Sequence, residues 1–224
     1  RDISKILECE PRSITFTSGG TEADNLALRA AVIDLGCKRI ITSPAEHSAV
    51  IASSEKMANL FGVELVHVKH LKDGTVDCEN LRDLLSTGPK TLVSLMHANN
   101  EVGVIQPLNE ISELCKQAGA VFHSDTVQTM AHYKFKLDSL DIDFLTCSAH
   151  KFHGPKGTGF LYTHPRNSIK SQIVGGGQER GLRSGTENLH GIVGLASAIK
   201  LAYDNIEEHS IHVRAIKKYM VEGL

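Results

Sequence analysis

The sequence predicts an α/β domain built on a largely parallel sheet. Two observations carry this reading. Short apolar runs alternate with helix-patterned stretches along most of the chain, the pattern of βαβ units. No Pro-, Gly- or Ser-rich linker, internal repeat or low-complexity tract divides it. The composition agrees: 224 residues, 41% hydrophobic and 22% charged, suffice for one large domain with at most a small appendage.

Taken in order, residues 1–8 form a charged amphipathic segment unlike a signal peptide. Residues 13–16 (SITF) form a short strand, and 21–35 a helix with Leu26, Ala27, Ala30, Ala31 and Ile33 as its apolar stripe. Residues 39–42 (RIIT) are strand-like, 47–61 helical, and 64–68 (ELVHV) a strand. Residues 77–85 form a helix with Asp77 as its N-cap. Residues 91–96 (TLVSLM) are a strand. Residues 107–117 form a helix with Pro in its first turn and Gly119 just past its end. Residues 121–123, 144–147 (FLTC) and 159–162 (GFLY) complete six or seven strands, and 187–224 read as one long, mostly helical tail.

Several functional classes are excluded or disfavoured. Lys+Arg 24 against Asp+Glu 26 gives a net charge of −2, without a basic footprint for nucleic acid. No apolar stretch approaches the roughly 18 residues of a membrane span. Five cysteines without paired spacing suggest neither a disulfide framework nor a zinc site, so no metal is expected and a reducing, cytoplasmic compartment fits. Burial is the expectation for all five.

In parallel α/β sheets ligands bind beyond the carboxyl ends of the strands, so the strings there matter most. Thr17-Ser18-Gly19-Gly20-Thr21-Glu22 opens a helix and suits either a phosphate or a plain N-cap; it lacks the Gly-Lys-Ser/Thr ending of a Walker A loop. His47 enters a helix, as a ligand-facing or a capping residue. His97-Ala98-Asn99-Asn100-Glu101 crowds polar groups at one strand end, although paired Asn also favour a turn. Asp125, with Gln128 three residues on, could hold a cationic ring nitrogen and a phenolic oxygen, or cap a helix. Lys151 follows FLTC, where desolvation would lower its pKa and make it a Schiff-base candidate; an isolated Lys more commonly snorkels to solvent. Residues 175–188 combine glycines, arginines and hydroxyls, which is anion-binding chemistry. His67, His70, His132, His209 and His212 lie outside these strings and read as structural or solvated. Together, a phosphate loop, an aromatic His, a strand-end Asp and a strand-end Lys are the parts of a pyridoxal 5'-phosphate site.

The strings FTSGGTEADN (16–25), EH (46–47), HANNEVGVIQP (97–107), HSDTVQ (123–128), SAHKFHGPKGTGFLY (148–162) and GGGQERGLRSGTEN (175–188) carry a resemblance. In this order they resemble the cysteine desulfurase and selenocysteine lyase group of class V aminotransferase-like, fold-type I pyridoxal-phosphate enzymes. The resemblance implies a three-layer αβα fold with a mostly parallel seven-stranded sheet, the large cofactor domain over 1–190 and a long helix over 191–224. The latter leads toward a small C-terminal domain that is largely missing, so the chain reads as a fragment of a longer enzyme. It implies Lys151 as the Schiff-base lysine, His47 stacked on the ring, Asp125 at the ring nitrogen and Gln128 at the phenolic oxygen. Gly20, Thr21, Ser148 and His150 would bind phosphate, Asn100 the substrate carboxylate, and Thr186 the phosphate of a homodimer partner.

The implied reaction removes sulfur from L-cysteine to give alanine and an enzyme persulfide, for a sulfur-acceptor protein or iron–sulfur cluster assembly. The alternatives are a selenocysteine lyase or another class V enzyme, and a non-catalytic fragment or partner subunit. None of Cys9, Cys37, Cys78, Cys115 and Cys147 matches the family's sulfur-accepting loop. Where the family usually has Ala between the Asp and the Gln, this chain has Thr126 and Val127, a change expected to alter packing more than chemistry.

Overall fold

The computed structural model describes residues 1–224. Its elements are α1 (Asp2–Ile6), β1 (Ile14–Thr17), α2 (Gly20–Arg29), β2 (Arg39–Thr42), α3 (Ser48–Phe61), β3 (Glu64–His67) and α4 (Cys78–Leu85), followed by β4 (Thr91–Ser94), α5 (Leu108–Ala118), β5 (Val121–Asp125), β6 (Phe144–Ser148), β7 (Gly159–Thr163), α6 (Leu189–Asp204) and α7 (Ile206–Glu222). The strands form one sheet of order β1-β7-β6-β5-β4-β2-β3. β7 alone runs against the rest, antiparallel to both β1 and β6; the other neighbours are parallel.

Alternate residues of the buried strands feed two cores, one on each face. Phe122 of β5 and Leu145 of β6 point into a core shared with Leu7, Leu81, Ile111, Leu114, Leu195 and Ile199. Their neighbours Val121 and Phe144 point into the other, with Leu26 and Ala27 of α2 and Val50 and Met57 of α3. Helices therefore cover both faces, the three-layer arrangement expected. Burial of each such aliphatic or aromatic side chain contributes about 1.5–3 kcal/mol relative to exposure.

Local chemistry sets the boundaries. Asp77 caps α4 as expected, its Oδ1 accepting from Asn80 N at 3.1 Å. α3 ends where Gly62 takes a left-handed φ of 63°. α5 likewise ends at Gly119, and Pro107 stands just before its first residue rather than inside the first turn. The helix expected over 21–35 is α2 continued by a π-helical segment, Ala30–Asp34, in which Leu35 N bonds Ala30 O at 2.9 Å.

β5 runs two residues further than expected because Ser124 and Asp125, though polar, are buried in the ladder. The helical tail is two helices. Asn205 (φ −115°, ψ 11°) breaks it, and its side-chain amide donates to Leu201 O at 2.8 Å, satisfying a carbonyl that a continuous helix would have used. α6 joins the core through Leu195 and Ile199, against α1 and the turn 149–152, whereas only Ile206 of α7 is buried. No helix is long and apolar enough to cross a membrane.

Candidate active site

The carboxyl ends of β1, β2, β4, β5 and β6 lie along one edge of the sheet, because only β7 is reversed. The strings that follow them meet there around a cavity of about 220 Å³, lined by Gly20, Thr21, Asp24, His47, Met96, Asn100, Asp125, Val127, Gln128, Ser148, His150 and Lys151. Every residue to which the resemblance gives a cofactor or substrate role, except Thr186, reaches it.

Each arrives by a definite route. Gly20 opens α2 against the sheet, where an added Cβ would lie 2.8 Å from Val127 Cγ2. This close approach leaves the first turn of α2 open to a ligand. His47 both caps and lines: its Nδ1 accepts from Ala49 N at 3.2 Å, which places the proton of the neutral ring on Nε2, and the ring stands exposed at the cavity. Ser148 Oγ and His150 Nδ1 are 2.9 Å apart at the end of β6. With Gly20 and Thr21 they gather hydroxyl, imidazole and backbone donors of the kind that bind phosphate. Asn99 makes the turn foreseen for the Asn pair, its Oδ1 accepting from Glu101 N and Val102 N, which leaves Asn100 exposed at the cavity.

Lys151 differs from expectation in one respect. It follows an apolar strand but sits in the short turn Ala149–Phe152 and is exposed, so the desolvation foreseen for it is absent. Phe152, the next residue, takes the buried place.

The cavity floor holds more acid than the sequence strings suggested. Asp125 is 4% exposed and Asp24, from the second turn of α2, is 1% exposed. Oxygens of both and a ring nitrogen of His47 all lie within 4.8 Å of one another. Burial is the main cause that raises both carboxyls to about 7; for Asp125 the neighbouring Asp24 adds to it. Behind them Glu46, also buried, accepts from Met96 N at 2.8 Å and is held well above the usual carboxylate range, mainly by desolvation.

His123 is buried between Ser94 Oγ (2.8 Å) and Thr146 Oγ1 (3.1 Å), and burial lowers it to about 4, so it is neutral. Neither Asp24 nor Glu46 had been given a role. Asp24 carried a signal all the same: it follows Gly20 by four and precedes Ala27 by three, in phase with the buried face of α2.

Other residues lie elsewhere. His97 turns away from the cavity and packs edge-on against Tyr133 and Phe135 at 5.6 and 5.4 Å. Thr186 is exposed in a shallow crevice beside Arg183 and Glu187. Its loop is strapped to the sheet edge: Glu179 Oε2 accepts from Phe16 N at 3.1 Å, Arg180 donates to Ile14 O at 2.7 Å, and Arg183 pairs with Glu22 at 2.8 Å. Cys37, Cys115 and Cys147 are buried, whereas Cys9 and Cys78 are only partly so. Desolvation raises all five thiols, and none lines the cavity.

A parallel α/β sheet with a lysine, an aromatic imidazole and a buried carboxylate at its carboxyl edge defines a class of protein. The family described as aminotransferase class V matches residues 1–224, and the chain belongs to it. Within that family the relatives it matches include cysteine desulfurases. It is 40% identical over 224 residues to the cysteine desulfurase IscS of Clostridium botulinum, covering 99% of this chain and 56% of that one. A solved NifS-like protein superposes with a TM-score of 0.94 at 39% identity, over 99% of this chain and 61% of that one. The structure of SspA in complex with cysteine matches at a TM-score of 0.83 and 33% identity, over 89% of this chain and 58% of that one. The chain thus spans little more than half the length of the curated relative it matches.

Proposed function

We propose that this chain binds pyridoxal 5'-phosphate in the cavity and forms the cofactor domain of a cysteine desulfurase, acting on L-cysteine. The observation that carries the reading is the convergence of Lys151, His47, Asp125 and Gln128 with the donors of Gly20, Thr21, Ser148 and His150 on one cavity. The orphaned, buried Oδ1 of Asp24 and the sterically reserved space at Gly20 fit a ligand that is cationic at one end and anionic at the other.

When bound, the cofactor supplies an electron sink for charge developing at the substrate Cα. The protein does the rest. Lys151 is exposed to the cavity, where its amine can hold the aldehyde end and then take a proton from substrate. His47 presents a ring face whose orientation is fixed by its hydrogen bond to the start of α3. Asp125 would hold a proton on the ring nitrogen, Gln128 would meet the phenolic oxygen, and Asn100 is exposed where a substrate carboxylate would enter. The exposure of Thr186, and its distance from this chain's own cavity, suit a role at the phosphate of a second copy in a homodimer. No thiol of this chain is placed to accept sulfur from the cavity. Likeness to IscS and to the cysteine-bound SspA favours cysteine over selenocysteine as substrate.

The test is to incubate the protein with pyridoxal 5'-phosphate, reduce with borohydride and map the pyridoxyl group by peptide mass spectrometry. Label on Lys151 is expected. Label on Lys156 or another lysine, or no label at all, overturns the reading.

A further inference from the structure

Two buried carboxyls face one cavity, and only one of them is needed for a ring nitrogen. Their surroundings differ. Asp125 Oδ1 accepts from Val127 N at 2.8 Å, a bond that stabilises the anion. Asp24 Oδ1 has no hydrogen-bond partner and stands 3.5 Å from Nε2 of the neutral His123, while the Thr146 side chain lends the Asp24 carboxyl some stabilisation as an anion.

The groups facing Asp24 supply no compensating cation. β5 brings His123 and Asp125; the segment before α3 brings Glu46 and His47; the end of β6 brings His150 and the exposed Lys151 across the cavity. β7 also packs on α2, but its one titratable residue, Tyr162, lies in the core on the opposite face. Glu22 on α2 itself is paired with Arg183.

We propose that Asp24 is a positioning residue acting through Asp125: the two carboxyls carry one negative charge between them, so that Asp24 sets the pH at which Asp125 becomes the anion offered to a ring cation. Burying two like charges within a few ångströms is costly, so the pair titrates in two coupled steps. Removing Asp24's charge leaves Asp125 as an ordinary buried carboxylate that ionises at lower pH.

The pair exists without the cofactor, whereas its use rests on the function proposed above, and the experiment separates the two. Carbon-13 carboxyl shifts are followed against pH in cofactor-free wild type, Asp24→Asn and Asp125→Asn. Asp24→Asn is expected to lower the Asp125 midpoint by about one unit or more. Asp125→Asn should lower the Asp24 midpoint by a matching amount, since coupling is reciprocal. If Asp24→Asn does not fold, Asp125→Asn alone decides. A midpoint unmoved by loss of the other carboxyl overturns the proposal.

Pyridoxal 5'-phosphate affinity is then measured between pH 6 and pH 8. Wild type should lose affinity toward pH 6 more steeply than Asp24→Asn, by roughly tenfold per unit below the Asp125 midpoint. Identical profiles overturn the role of Asp24. Failure of wild type to bind the cofactor overturns the proposed function, and the carboxyl titrations still decide the pair.

Discussion

Gly20→Ala is predicted to destabilise the protein through one identifiable contact. The new Cβ would sit 2.8 Å from Val127 Cγ2, with Ser148 Cβ and Thr146 Cγ2 at a comfortable 3.6 Å. Carbon atoms pack best at about 3.5–4.0 Å, so the overlap is about 0.7 Å or more and falls on a single methyl. Overpacking of this kind costs about 1–3 kcal/mol. The helical preference of Ala over Gly offsets at most about 0.5–1 kcal/mol.

Val127 is half-buried, and Val127→Ala alone should cost about 1 kcal/mol in lost burial. In the Val127→Ala background the clash has no partner, so Gly20→Ala should become neutral or slightly stabilising. A double-mutant cycle should therefore show a favourable coupling of about 1–2 kcal/mol. Urea unfolding of the four proteins at fixed pH, with unchanged m-values, reads this directly. Pyridoxal 5'-phosphate affinity should follow the same pattern, weakened in Gly20→Ala and recovered in the double variant. Additivity within about 0.5 kcal/mol would refute the reasoning, because it would mean that helix and loop do not touch as described.

Stability of the cofactor-free protein should depend on pH through its buried groups. Asp24 and Asp125, raised from 3.8 to about 7, contribute stability that is full below about pH 4 and lost as pH climbs through 7. His97 and His123, lowered from 6.5 to about 4, contribute stability that is present above 6.5 and lost as pH falls toward 4. Thermal melts of Asp24→Asn against wild type isolate the acid: the difference in favour of the variant should widen from pH 4 to pH 8, and a pH-independent difference would count against it. At the opposite end of the site, Glu179→Ala should free Phe16 N–H to exchange with solvent and speed proteolytic cleavage within 175–188, whereas Glu179→Gln, which keeps an acceptor, should stay near wild type. Unchanged Phe16 protection in Glu179→Ala would show that the strap does not hold the loop.

Much of this architecture is legible in the sequence because strand ends are. The strings after SITF, RIIT, TLVSLM, VFHSD and FLTC all land on the cavity, since parallel strands deliver their carboxyl ends to one edge. The reversal of β7 is implicit too: the connection 149–158 is too short for the crossover a parallel partner needs. What was illegible depends on long-range packing. The place of β1 beside β7, and the plugging of its free edge by Glu179 and Arg180, rest on contacts more than 140 residues apart in the chain. Those two residues hold φ values of 47° and 58°, a left-handed pair that no glycine announces. The exposure of Lys151 was missed because apolar neighbours in sequence say nothing of which residue a turn buries. Glu46 was missed because a charged residue before a helix ordinarily reads as solvated.

Shape and charge at the cavity are set by the same face of α2 but through different neighbours. Gly20 meets Val127, so the opening of the helix is governed by a contact that a smaller side chain would relax. Asp24, one turn on, faces His123 and Asp125, and no atom of the Val127 side chain enters that electrostatic balance. What position 127 gives to the acid floor is its backbone N–H, and any residue but proline provides that. The presence of Val where the resemblance leads one to expect Ala therefore narrows the space against α2 and leaves the charge of the floor untouched. A change at Asp24 does the reverse, since the isosteric Asn keeps the helix contact and removes the second acid.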